Sequence, residues 1–307
     1  MQADPAIEDR YTTVDGVRLH YLDWGGAGEP LLFLPGNGEP ASVFKWFAQR
    51  FFPEFRPLAL TRRGTGKSEI PDGPYTVDQL VQDILSFLDA MEIRRVSLVG
   101  HSLGGAEGTY FAAGHPDRVR KLVNLDGCFI GKELQQLNQE DPCRPPGQTS
   151  TPKEALESVE AYLAFVRRTY PFVDRIWSPA AREACIADLR IDERGRVEEI
   201  DRSRAMSLPI QSIRERGLDF SQVTVPMLAI VAIETQHPNV PPDAPPDLQR
   251  RAHEFQTRFV ETKRGIVRKI RRAKPDAIVL EIVGAAHHCY ITHEDVVYTH
   301  MLEFLRD

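Results

Sequence analysis

Short apolar runs alternate with helical patterns from the start of the chain, which is the signature of a mostly parallel sheet with helices on both faces. Two early segments, Tyr11 to Val14 and Val17 to Trp24, meet at Asp15-Gly16 and read as a hairpin, so the sheet is expected to begin antiparallel. Pro30 to Leu34, Pro57 to Thr61, Arg95 to Val99 and Arg120 to Leu125 are short apolar runs and predict buried strands. Between them, Leu80, Val81, Ile84, Leu85, Leu88 and Met91 share one face of a helix over Val77 to Met91, and another helix is expected from Leu103 to about Ala113.

The alternation breaks after Ile130. From Gly131 to Phe220 the chain is first Pro-rich and polar, then amphipathic over Lys153 to Arg168, Pro179 to Leu189 and Glu198 to Ser207, with no strand-like run. That predicts a helical insertion lying over the sheet as a lid. Strand patterns resume at Pro226 to Ile233 and Ala277 to Val283, separated by a helix within Pro246 to Ala273 and followed by a last helix from Glu294 to about Leu305. The expected organisation is an α/β core over residues 1–130, a helical lid over 131–220 and the rest of the core over 221–307.

Composition narrows the function classes. Of 307 residues, 42% are hydrophobic and 27% charged, the balance of an ordinary globular protein with a sizeable core. Thirty-eight basic residues against 44 acidic ones give a net charge of -6, which argues against nucleic acid as a partner. The one concentrated basic stretch, Lys263 to Lys274, carries its charges at helical spacing and reads as a solvated helix face. The first ten residues hold Asp4, Glu8 and Asp9 and no apolar run, and no window is long and apolar enough to span a bilayer. Cys128, Cys143, Cys185 and Cys289 are scattered without metal-ligand spacing, so reduced thiols in a cytoplasmic protein are the expectation, with no metal.

The chemistry concentrates at Gly100-His101-Ser102-Leu103-Gly104. The serine follows an apolar strand and opens a helix, a tight turn that exposes its hydroxyl at the carboxyl end of the strand. A glycine-flanked serine can also simply cap a helix, but other features point the same way. Gly36-Asn37-Gly38 follows the Pro30 to Leu34 strand, so the backbone N–H groups of Asn37 and Leu103 can form an oxyanion hole, one from each loop. A serine nucleophile needs a base, and His287 and His288 follow the last strand, with His287 the better placed. For the carboxylate that orients the base, Asp126 and Glu234 both end strands and both remain candidates.

With these residues in view, the chain resembles the α/β-hydrolase superfamily, in particular its esterase and lipase-like branch. The matching pieces are Val14-Asp15-Gly16-Val17-Arg18-Leu19-His20-Tyr21, Pro35-Gly36-Asn37-Gly38, Arg63-Gly64-Thr65-Gly66-Lys67-Ser68, Gly100-His101-Ser102-Leu103-Gly104-Gly105 and Gly284-Ala285-Ala286-His287. Members that act as dehalogenases or epoxide hydrolases use an aspartate where Ser102 stands, so the resemblance implies acyl-enzyme chemistry instead. Pro35 replaces the usual histidine before the oxyanion glycine, and Thr61 replaces the aspartate that commonly precedes the arginine-glycine turn. Ala232 and Thr235 replace the glycine and aspartate that usually deliver the acid after the later strand, and part of the family places the acid one strand earlier, which favours Asp126 over Glu234.

The expectation is therefore cofactor-free hydrolysis of a small hydrophobic carboxylic ester or lactone by Ser102, His287 and Asp126. Phe165, Phe172, Ile176 and Trp177 of the lid are candidates for the substrate pocket. Hydrolysis of a carbon–carbon bond or an amide by the same residues is the alternative within enzymes, and a non-catalytic binder of small ligands is the alternative outside them. Neither substrate identity nor oligomeric state follows from the sequence.

Overall fold

Leu31 and Phe33 are buried on one side of a central sheet and Leu32 and Leu34 on the other, because side chains alternate along a strand and both faces are covered. The computed structural model describes residues 7–144, 151–178, 181–182, 185–186, 189–198, 200–241 and 243–307. Eight strands form the sheet: β1 (Glu8–Val14), β2 (Val17–Asp23), β3 (Glu29–Leu34), β4 (Phe55–Leu60), β5 (Val96–His101), β6 (Val119–Leu125), then β9 (Met227–Ile233) and β10 (Ile278–Val283). Their order is β1-β2-β4-β3-β5-β6-β9-β10; β2 runs antiparallel to its neighbours and the pairs from β4 onward are parallel. This is the expected α/β-hydrolase arrangement, antiparallel at the start.

On one face, α2 (Val77–Ala90) and α3 (Leu103–Gly114) press Ile84, Phe87, Leu88 and Phe111 against the sheet. On the other, α1 (Lys45–Gln49) and the C-terminal helix (Glu294–Arg306) bury Phe47, Val297 and Met301. Loops at the carboxyl ends of β3, β5, β6 and the last strand carry Asn37, Ser102, Asp126 and His287, which places all four at one edge of the sheet.

Between β6 and β9 lie α4 (Lys132–Gln139), α5 (Val159–Thr169), α6 (Phe172–Ile176) and α7 (Ser203–Arg216). The insertion is not purely helical as read from sequence: β7 (Arg190–Ile191) and β8 (Val197–Glu198) form a small hairpin. Its turn is built by Asp192, whose side chain accepts from the N–H groups of Arg194 and Arg196, with Gly195 at positive φ. Two-residue strands are too short to leave a periodic trace. The helix expected over Glu198 to Ser207 instead starts at Ser203, where Asp201 accepts the Ser203 N–H, and runs on to Arg216. The helix expected over Pro179 to Leu189 falls largely outside the described residues. Among the described residues no helix is long and apolar enough to cross a membrane.

Candidate active site

Ser102 has φ 51° and ψ −117°, a conformation that L residues rarely adopt and that the surrounding backbone imposes. Its N–H donates to the Leu125 carbonyl of β6, and α3 begins at the next residue. The crossing is so tight that a Cβ at Gly100 would lie 2.2 Å from the Gly104 carbonyl oxygen, and one at Gly104 would lie 2.1 Å from that of Leu34. The side of the turn toward β6 is equally constrained: Asn124 accepts the Gly127 N–H and donates to the Gly105 carbonyl. These contacts hold the Ser102 turn and the Asp126-Gly127 turn together.

Asp126 also has positive φ, at 49°, and is buried. Its Oδ2 accepts from Nδ1 of His287 at 2.7 Å, although the two are 161 residues apart in sequence. This fixes the imidazole tautomer and leaves Nε2 as the basic nitrogen. Ser102, Leu103, Asn37, Asp126 and His287 line one cleft of about 350 Å³. The structure thus brings together the five residues singled out for chemistry. Glu234 lines the cleft as well, but its carboxylate is ion-paired with Arg175 rather than hydrogen-bonded to His287. His288 turns the other way and contacts Glu39.

The loop bearing Asn37 is held from beneath by a buried guanidinium. Arg62 donates to the carbonyls of Pro35 and Gly36 at 2.8 and 3.0 Å and pairs with buried Glu107 of α3. Glu39 accepts the Gly36 N–H at 2.8 Å. A hydroxyl, an imidazole with an orienting carboxylate, and backbone donors from two clamped loops are the components of acyl transfer through a tetrahedral oxyanion.

A profile of the alpha/beta hydrolase fold matches residues 29–172. The E-2-(acetamidomethylene)succinate hydrolase structure superposes with a TM-score of 0.76 at 22% identity, over 98% of this chain and 100% of that one. The chain has the α/β-hydrolase fold. A bifunctional esterase/perhydrolase of Acinetobacter calcoaceticus is 38% identical over 157 residues, 50% of this chain and 53% of that protein. A 3-oxoadipate enol-lactonase of Acinetobacter baylyi is 31% identical over 145 residues, 45% and 54% of the two chains. The chain thus spans about half the length of these curated relatives in the matched region.

One charge of the basic stretch lies inside the protein rather than on a solvated face. Lys263, taken as part of a solvated helix face, is only 4% exposed on α8 (Pro246–Ala273). Its ammonium donates to Asp126 Oδ1 at 2.6 Å, Asp126 Oδ2 at 2.9 Å and the Ala232 carbonyl at 2.7 Å, three donors for three acceptors. Burial pushes the Asp126 carboxyl up, but the Lys263 charge and the His287 contact outweigh it and hold the group below the usual aspartate value. Lys274 is buried too, against Asp276, while Arg264, Lys269 and Arg271 of the same stretch point outward. The signal was present in the sequence: Lys263 stands four residues from both Phe259 and Val267, inside the apolar stripe of its helix.

Of the lid residues expected in the pocket, Phe172, Ile176 and Trp177 line a second cleft of about 730 Å³, which meets the first at Asn37 and lacks Ser102. Phe165 is half-buried and lines neither. The Ser102 cleft takes its walls instead from Phe129, Leu134, Ile210, Phe255 and Phe259.

Among the described residues, two groups bring metal-type donor atoms within 4.8 Å of one another: Glu39, His101 and His288, and Asp141, Cys143 and His237. In the second, His237 donates from Nε2 to Asp141 and accepts the Asn239 N–H at Nδ1, a fully satisfied neutral tautomer. In the first, the Glu39 carboxylate joins the two imidazoles, and His101 Nε2 donates to the His287 carbonyl at 3.1 Å, tying the cluster to the His287 loop. Burial drives His101 down to about 4, against the opposing pull of the Glu39 carboxylate.

Proposed function

We propose that the protein is a serine hydrolase that cleaves a carboxylic ester or lactone through an acyl-enzyme intermediate. The observation that carries this reading is the 2.7 Å contact between His287 Nδ1 and Asp126 in a cleft that also exposes Ser102 at a strained turn. Ser102 Oγ attacks the carbonyl carbon as His287 Nε2 takes its proton; the same proton then passes to the departing alkoxide. Water, deprotonated by His287, releases the acid and restores the serine. The N–H groups of Leu103 and Asn37 hold the oxyanion, the first at the start of α3 and the second on the loop clamped by Arg62. Asp126 keeps the imidazole in the productive tautomer.

The similarity to an esterase/perhydrolase and to an enol-lactonase supports an ester or lactone bond. A fluorophosphonate probe, followed by a screen of 4-nitrophenyl esters and lactones, tests it. Covalent labelling of Ser102, absent in Ser102→Ala, is the expected result; a protein that neither labels nor turns over any ester or lactone is a binder rather than a hydrolase.

A further inference from the structure

The charged side chains lining the Ser102 cleft can be paired off one by one. Asp126 is held by Lys263 and His287, Asp141 by His237, and Glu234 by Arg175. Arg214 remains. It lines the same cleft, and among the described residues it has no ion pair or hydrogen bond. Its Nε is buried without a partner. Burial alone lowers its hold on the proton, with no carboxylate near enough to offset the loss. Arg214 is half-buried, so its shielded Nε lacks an acceptor while the rest of the guanidinium stays open to a ligand in the cleft.

Its position is not accidental looseness in the lid. Arg214 sits one turn after Ile210 on α7, so both face the cleft. That helix is fastened to the core on either side of Arg214: Ser212 accepts the Val77 N–H at 3.1 Å, and Arg216 pairs with Asp78 of α2. Tyr110 of α3 donates to the Gly217 carbonyl at its end. The helix that carries this planar fork of donors is thereby held in place, in a cleft that Phe129, Leu134 and Phe259 also line.

We propose that Arg214 is a carboxylate-binding residue and that the substrate is an anion: a short apolar carbon skeleton bearing a free carboxylate in addition to the ester or lactone that Ser102 attacks. This rests on the hydrolase reading for the bond cleaved, but the anion site stands on Arg214 alone. It replaces the small hydrophobic substrate implied by the resemblance and the lid aromatics with one that presents a charge to the lid and a carbonyl to the sheet edge.

Isothermal titration of glutarate, and of its neutral diamide, into the wild type and R214Q tests the site without catalysis. Glutarate is expected to bind about 10- to 100-fold more weakly to R214Q, with the diamide little affected. Phenylglyoxal modification of Arg214 in the wild type, read by peptide mass, should be slowed by glutarate, which keeps the test decisive if R214Q does not fold. Kinetics with mono-4-nitrophenyl glutarate and 4-nitrophenyl butyrate should show R214Q losing kcat/KM on the half-ester alone. Glutarate that binds R214Q as well as the wild type, or fails to protect Arg214, overturns the proposal. Glutarate binding through Arg214 in a protein whose Ser102 resists the fluorophosphonate sinks the hydrolase reading and leaves the anion site standing.

Discussion

The carboxylate of Asp126 is shared between His287, at 2.7 Å on Oδ2, and Lys263, at 2.6 Å on Oδ1. One buried group therefore both orients an imidazole and neutralises a buried ammonium. Asp126→Asn is expected to lower kcat by about four powers of ten through the wrong imidazole tautomer. It should also destabilise the fold by about 3 to 5 kcal/mol, because Lys263 is left as an uncompensated buried charge. Adding Lys263→Met should restore the lost stability without restoring activity. Urea denaturation and steady-state kinetics on the two single variants and the double variant give the cycle.

Lys263→Met by itself is expected to move the acid limb of the kcat/KM profile to higher pH. Lys263 helps hold the Asp126 carboxyl below its ordinary value, while burial opposes it. With the ammonium gone, burial dominates and Asp126 takes up a proton at higher pH, which removes the group that orients His287. The stability term has the same sign: an aspartate with a depressed folded pKa stabilises fully above its unfolded value of about 3.9 and loses that contribution as pH falls through the folded one. An unchanged acid limb would leave Lys263 with a packing role only.

Ser102→Gly should abolish ester hydrolysis and raise stability by about 1 kcal/mol. The φ of 51° is strained for serine and ordinary for glycine. Ser102→Ala should match it in activity without the gain. Thermal melts alongside turnover separate the two effects, and a glycine variant less stable than the alanine one would mean that the turn holds no strain.

His287→Ala should be as damaging to turnover as Ser102→Ala, since the groups act as a unit. His288→Ala should keep activity within about tenfold, because His288 contacts Glu39 rather than Asp126. Its deletion removes a hydrogen-bond partner from a mostly buried carboxylate and should lower stability by about 1 to 2 kcal/mol. Reversal of the two activity losses would assign the base to the wrong histidine.

Gly104→Ala should fail to give folded protein, or unfold at much lower temperature, since its Cβ would sit 2.1 Å from the Leu34 carbonyl oxygen with only backbone to yield. Gly114→Ala, at the end of the same helix with open space at its Cβ, should be neutral within about 0.5 kcal/mol. Comparing their soluble yield and melting temperatures checks both.

Local pattern determined most of the architecture. The period-2 and continuous apolar runs gave the strands of the sheet to within three residues, and the helix over Pro246–Ala273 was bounded by its own proline and periodicity. The Ser102 turn was legible because a strand, a glycine-rich turn and a helix are contiguous in sequence. The short hairpin at Arg190–Ile191 and Val197–Glu198 was not, since two residues carry no period. Which carboxylate meets His287 was undecidable from spacing, because Asp126 and Glu234 both end strands and only the packing across β6 and β9 orients one toward the imidazole and the other toward Arg175. The roles of Lys263 and Arg214 were likewise decided by tertiary structure. A charge on an amphipathic helix looks solvated until the partner element is in place, and whether it is then paired, as Lys263 is, or left facing a cleft, as Arg214 is, depends on contacts across 137 residues of chain or on their absence among the described residues.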